Sequence, residues 1–196
     1  MMQLKLALVL AVAALLVGCA HPMTIKPDIE KVSIGADARR IERNVGLYVS
    51  GENRGKEVTT PGGGGDKVSY RPYADMEAGL YKALSNVFQS VSVLHSSNDA
   101  DSIAKYSVAY IIEPEISTSS SSSGVFTWMA TDFTVQINCR ISDVQGRSIA
   151  TVSSTGAGHA EFGELKSNFS IAGQRASQDA LLKLQELLLS SPELRK

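Results

Sequence analysis

Phe133, Val135, Ile137, Cys139 and Ile141 alternate with Thr134, Gln136, Asn138, Arg140 and Ser142 over ten consecutive residues. A period of two puts every apolar side chain on one face of a strand and every polar one on the other. A chain that carries it must build a sheet with one covered and one wet face, and must supply something apolar to cover the first. Cys139 falls on the covered face among aliphatic neighbours, so the alternation predicts a buried, inert thiol.

Two segments have the period needed to do the covering. Pro72 opens the first, where Tyr73, Met76, Leu80, Ala83, Leu84, Val87 and Phe88 fall on one face of a 3.6-residue repeat. In the second, from Ser170 to Leu189, Ala176, Ala180, Leu181, Leu184, Leu187 and Leu188 face inward. Shorter runs predict further strands at Val45 to Ser50, Asp66 to Arg71, Ser90 to Leu94 and Lys105 to Glu113. A turn around Gly146 predicts a return strand from Ile149 to Phe162, loosened by Gly156 and Gly158. The expected order is β-β-α-β-β-β-β-α: an α/β (α+β) fold with a single mixed sheet and two main helices on one face.

Two polar stretches read as loops. GENRGKEVTTPGGGGD, with Pro61 and Gly62 to Gly65, predicts a long flexible hairpin loop. No Gly-Lys-Ser/Thr follows its glycines, and a strand rather than a helix comes next, which argues against a phosphate cradle. Ser117 to Ser123, broken only by Thr118, predicts a second hairpin loop. Beside it crowd Val125, Phe126, Trp128 and Met129. Phe126, Trp128 and Met129 are candidates for contact with a protein partner or with lipid headgroups. The other reading has Phe126 and Trp128 covering the end of the core, as tryptophan is highly buried on average.

The N-terminus is of another kind. Leu6 to Val17 form an apolar stretch of twelve residues behind a short start with one positive charge, Lys5. Crossing a bilayer as a helix takes roughly 20 residues, whereas a secretory h-region needs only about 7 to 15. Leu16-Val17-Gly18-Cys19 closes the stretch and resembles a bacterial lipobox. That resemblance implies acylation of the Cys19 thiol and cleavage before it; the other reading is an uncleaved signal anchor or a plain secretory peptide cleaved near Ala13 or Ala14. One acyl chain holds a protein marginally and two or more hold it stably, at about 0.8 kcal/mol per buried methylene. Ala20, rather than aspartate, follows the cysteine, which implies sorting to an outer membrane and a periplasm-facing position. The expected organisation is a signal peptide over 1–18, a lipid-anchored tether over 19–43 holding Pro22 and Pro27, and a mixed α/β domain over 44–196.

Composition narrows the function classes. Nineteen basic residues stand against twenty acidic ones, with no basic block to follow a phosphate backbone, so nucleic acid is not an expected partner. With Cys19 modified, Cys139 has no partner, and a disulfide framework is excluded. None of His21, His95 and His159 has metal-ligand spacing to another histidine or cysteine. His159 and Glu161 share a strand face without a visible third ligand, and no Gly-x-Ser-x-Gly elbow occurs. The expectation is a protein without enzyme activity, cofactor or metal.

The layout is similar to that of small periplasm-facing outer-membrane lipoproteins of the YajG type, and more distantly to the α/β domain of the curli-secretion lipoprotein family. The similarity lies in Gly18-Cys19-Ala20, a Pro-containing segment with Pro22, Thr24, Ile25 and Pro27, a first strand around Gly46-Leu47-Tyr48-Val49, the central amphipathic helix, two long strands and a terminal helix. It implies a binding or assembly factor that is anchored through Cys19 and serves other envelope proteins. The alternative is a subunit of an oligomeric export or secretion ring, so a homo-oligomer is among the expected states. Arg140 and other polar residues on the outer face of the long hairpin weigh against a lipid-facing pore strand.

Overall fold

The computed structural model describes residues 20–35, 38–122 and 129–196. Eight strands occur among them: β1 Ala20–Pro22, β2 Ile41–Tyr48, β3 Val58–Pro61, β4 Lys67–Tyr70, β5 Phe88–Leu94, β6 Tyr110–Ser121, β7 Asp132–Asp143 and β8 Ser148–His159. The helices are α1 Gly51–Gly55, α2 Pro72–Val87, α3 Ala100–Lys105, α4 Phe162–Leu165 and α5 Ile171–Ser190. The α+β class expected from the sequence is the one observed.

The strands divide into a five-stranded sheet of order β5-β2-β6-β7-β8 and a three-stranded one of order β1-β4-β3, where the sequence predicts one sheet. In the large sheet β2 runs parallel to β5 and β6, while β6, β7 and β8 form antiparallel ladders. In the small sheet β4 lies between the other two, parallel to β1 and antiparallel to β3.

The alternation in β7 is realised as expected. Phe133, Val135, Ile137, Cys139 and Ile141 are all buried, and burial pushes the Cys139 thiol up to about 12. The α2 stripe and the inward residues of α5 cover this face in one continuous core. Leu187 is the exception: it is 42% exposed, because it lies one step round α5 from the buried Leu184 and Leu188. A smaller cluster of Leu94, Val108 and Ile111 lies apart from that core, with Ile103 of α3 packed against it.

Three other expectations are corrected. Ser117 to Ser121 belong to β6, opposite Gln136 to Asp132 of β7, and do not form a loop. Serine is polar but no barrier to a ladder, and two of the inward hydroxyl groups find partners. Thr118 Oγ1 lies 2.6 Å from Tyr70 Oη, and Ser120 Oγ lies 2.6 Å from Thr60 Oγ1. The GENRGKEVTTPGGGGD stretch also holds more structure than a loop. Ser50 Oγ caps α1 by accepting the Asn53 N–H at 3.1 Å, and β3 follows. Only Gly62 to Asp66 turn, closed by Gly62 N–H to Asp66 O at 2.9 Å.

Third, the strand predicted from Lys105 begins only at Tyr110, since Asp99 accepts the Ser102 N–H at 3.1 Å and so starts α3. Residues 20–35 of the expected tether pack on the domain. Ile25 and Val32 are fully buried, each worth about 1.5–3 kcal/mol of apolar burial. The Ile25 N–H donates to Asp75 Oδ2 at 2.8 Å, and Asn86 Nδ2 donates to Val32 O at 2.9 Å. The strap fits because α2 and α5 offer glycines beneath it. A Cβ on Gly79 would lie 2.6 Å from Pro27, and one on Gly173 would lie 2.7 Å from Ile25.

The glycines of β8 do not loosen the strand; they bring α5 onto it. A Cβ on Gly156 would lie 2.2 Å from Ala176 O, and one on Gly158 would lie 2.0 Å from Ala172 O. Only a bare backbone allows that approach.

Candidate functional site at the Ala20 end

The pairing registers collect several elements at one end of the molecule. Ala20, the residue bonded to Cys19, lies beside Lys67, which lies beside Pro61. The Pro61 carbonyl accepts a hydrogen bond from Ser120, and the next residue, Ser121, stands opposite Asp132, which stands opposite His159. α4 and the start of α5 follow directly. The first residues of the strap reach the same helix start: the Thr24 N–H donates to Ser170 Oγ at 3.3 Å.

A chain of charged groups crosses this end. Asp132 and Glu161 hold His159 between them, at 2.7 Å from Nδ1 and 3.3 Å from Nε2. These bonds, first that to Asp132 and then that to Glu161, raise the histidine pKa. Asp132 is lowered in turn by His159 and by the hydroxyl of Thr131, 2.8 Å away. Next to it, Arg175 grips Glu164 through two nitrogens, at 2.6 and 3.0 Å. The Glu161 N–H also donates to Glu164, and Glu164 is held down to about 2. Both His159 ring nitrogens face carboxylates, which fits an imidazolium that ties the end of β8 to β7 and α4. Asp132 meets His159 only because the β7–β8 register shifts by one residue between Ile141 and Ser142; the spacing from the turn alone would set it opposite Gly158.

Of the contact candidates read from the sequence, Phe126 and Trp128 lie outside the described residues, as does Cys19. Met129 is partly buried and packs against the main core just before β7. Two aromatic residues not singled out in the sequence stand on the surface here: Phe162 of α4, 50% exposed, and Phe169 just before α5, 45% exposed. Lys166 holds its ammonium 5.3 Å from the centre of the Phe162 ring.

A second concave feature opens where β2 stops. β2 pairs only Tyr110 to Ile112 of β6, so β6 continues without that neighbour. The Tyr73 hydroxyl accepts the Ile116 N–H there at 3.1 Å. A cavity of about 460 Å³ lies beside it, lined by Tyr48, Asn53, Lys56, Glu113, Glu115 and Arg140 among others. Arg140 and Glu113 form an ion pair across the β6–β7 ladder. Among the described residues no group of three or more His, Cys, Asp or Glu side chains could hold a metal ion, and no helix is long and apolar enough to cross a membrane.

No family model matches this chain, and no curated protein does. Among solved structures it is similar to a Xanthomonas campestris protein of the DUF330 family, with a TM-score of 0.48 and 11% identity over 87% of this chain and 92% of that one. It is also similar to a minor lipoprotein from Acinetobacter baumannii (TM-score 0.44, 13% identity, 76% and 93% covered). A third is PelC from Paraburkholderia phytofirmans, solved as a dodecamer (TM-score 0.43, 10% identity, 80% and 95% covered). Likenesses at this level assign the chain neither family nor activity.

Proposed function

We propose that the chain is a lipoprotein, anchored through acyl chains on Cys19, whose domain acts without catalysis as a binding or assembly factor for other envelope proteins. The observation that carries the reading is the run from Leu6 to Cys19: twelve apolar residues, then Gly18 and Cys19. Acylation is the chemistry that such a segment prepares for a cysteine at its end. Outer-membrane sorting follows from Ala20 at the position after the cysteine.

The non-catalytic reading draws support from the polar groups themselves. His159 is engaged at both nitrogens by carboxylates, which leaves neither free to activate a nucleophile. Cys139, buried and pushed up to about 12, is no thiolate.

Cross-linking of the acylated protein in intact envelopes tests the binding role. The expected product joins this chain to one or a few other envelope proteins. A uniform ladder of copies of this chain alone, matched by rings in electron micrographs, would replace the reading with that of an export-ring subunit. For the segment bearing Trp128, Trp128→Ala is expected to weaken association while leaving thermal stability unchanged; a large loss of stability would make Trp128 core.

A further inference from the structure

We propose that the surface of α4 and the α4–α5 connection, carrying Phe162, Lys166 and Phe169, rests on the phospholipid headgroups of the membrane that holds the Cys19 acyl chains. The inference rests on acylation of Cys19 and adds an orientation to it. Its starting point is the length of chain between anchor and domain. Ala20 is already paired in β1 and Pro22 is followed by buried Ile25, so no slack separates Cys19 from the fold. The domain is therefore held with its Ala20 end against the bilayer, and whatever that end exposes meets headgroups.

What it exposes suits them. Phe162 and Phe169 are two of the large apolar side chains that are about half exposed, both within the connection that leads from β8 to α5 at this end. Aromatic rings are favoured at the headgroup level, where one side is apolar and the other wet. Lys166, 5.3 Å from the Phe162 ring centre, can lay its stem along the ring and offer its ammonium to phosphate. Of the nearby carboxylates, Glu164 is held by Arg175, and Asp132 and Glu161 share His159, so the contact is made by the two rings and Lys166 and not by net charge. The opposite end of the sheet, at the turn between β7 and β8 around Gln145, lies roughly 35–40 Å away along the twelve-residue strands, at about 3.4 Å per residue.

The test uses the full chain, expressed with its signal, purified with its acyl groups and placed in vesicles of phosphatidylethanolamine and phosphatidylglycerol. Gly163→Cys provides a labelling site beside Phe162, since a Cβ there meets nothing within 4 Å. Gln145→Cys provides the distant control. Buried Cys139 and acylated Cys19 leave each new thiol as the one that takes a fluorescent maleimide. With a nitroxide-headgroup lipid in the vesicles, the label at position 163 is expected to be quenched several-fold more than that at 145. Phe162→Asp with Phe169→Asp in the Gly163→Cys background should remove most of that difference. Equal quenching at both positions, or a difference unaffected by the two aspartates, overturns the headgroup contact. Intact mass measured on the same samples separates the two claims. Acyl mass with no quenching difference removes the orientation alone, while absence of acyl mass removes both the anchor and the orientation built on it.

Discussion

Asp179 of α5 accepts the backbone N–H of Ala157 in β8 at 3.0 Å, a bond from a helix side chain to the free side of an edge strand. Lys183 joins it, reaching Asp179 at 2.7 Å and the Thr155 carbonyl at 3.1 Å, and Arg175 reaches the His159 carbonyl at 2.7 Å. Together they occupy hydrogen-bonding groups that a strand of another molecule would otherwise use. Asp179→Ala with Lys183→Ala should therefore raise concentration-dependent association, read by sedimentation velocity, while far-UV circular dichroism stays unchanged. Association no different from the parent would show that the edge is protected in some other way.

Close packing of α5 on β8 makes a second expectation. Gly158→Ala places a methyl group 2.0 Å from Ala172 O and 2.5 Å from Ala176 N. Backbone must move to admit it, at a cost of about 1–3 kcal/mol in urea denaturation. Gly163→Ala, whose Cβ meets nothing within 4 Å, should change stability by less than about 0.5 kcal/mol. Similar costs for the two would mean that α5 does not sit as close to β8 as described.

The His159 pair makes a pH-dependent expectation. Asp132 and Glu161 raise the histidine pKa, so its NMR titration midpoint should lie above the ordinary value of about 6.5. Asp132→Asn should bring the midpoint down. Because the folded value is raised, the pair's contribution to stability is complete below the unfolded histidine value and fades as pH rises through the folded one. Asp132, lowered by the same contact, contributes above the usual carboxylate value and loses that contribution as pH falls through its folded value. All the side chains concerned are well exposed, so the change in stability should be small. A midpoint at or below 6.5 would contradict the pairing.

Local periodicity explains why β7 and the two long helices were legible. Phe133 to Ile141 and Tyr73 to Phe88 each carry their burial pattern within one element, so no knowledge of a neighbour is needed. The serines of β6 carry no such pattern; their place depends on the register with β7 and on Tyr70 and Thr60 across from them. Ile25 and Val32 looked scattered because the groove that buries them is formed by residues far along the chain, at Gly79, Asn86 and Gly173. The same holds for the Ala20 end. Cys19 was readable from its immediate neighbours, but Phe162 and Phe169 reach that end only through the return of β8 and the start of α5.

The anchor is the central claim, and intact mass spectrometry of the mature protein recovered from membranes tests it most directly. The expected product is a chain that begins at Cys19 and carries a diacylglycerol with or without a further acyl group, and a Cys19→Ser variant should lack that mass. A mature chain beginning elsewhere, or beginning at an unmodified Cys19, would contradict it.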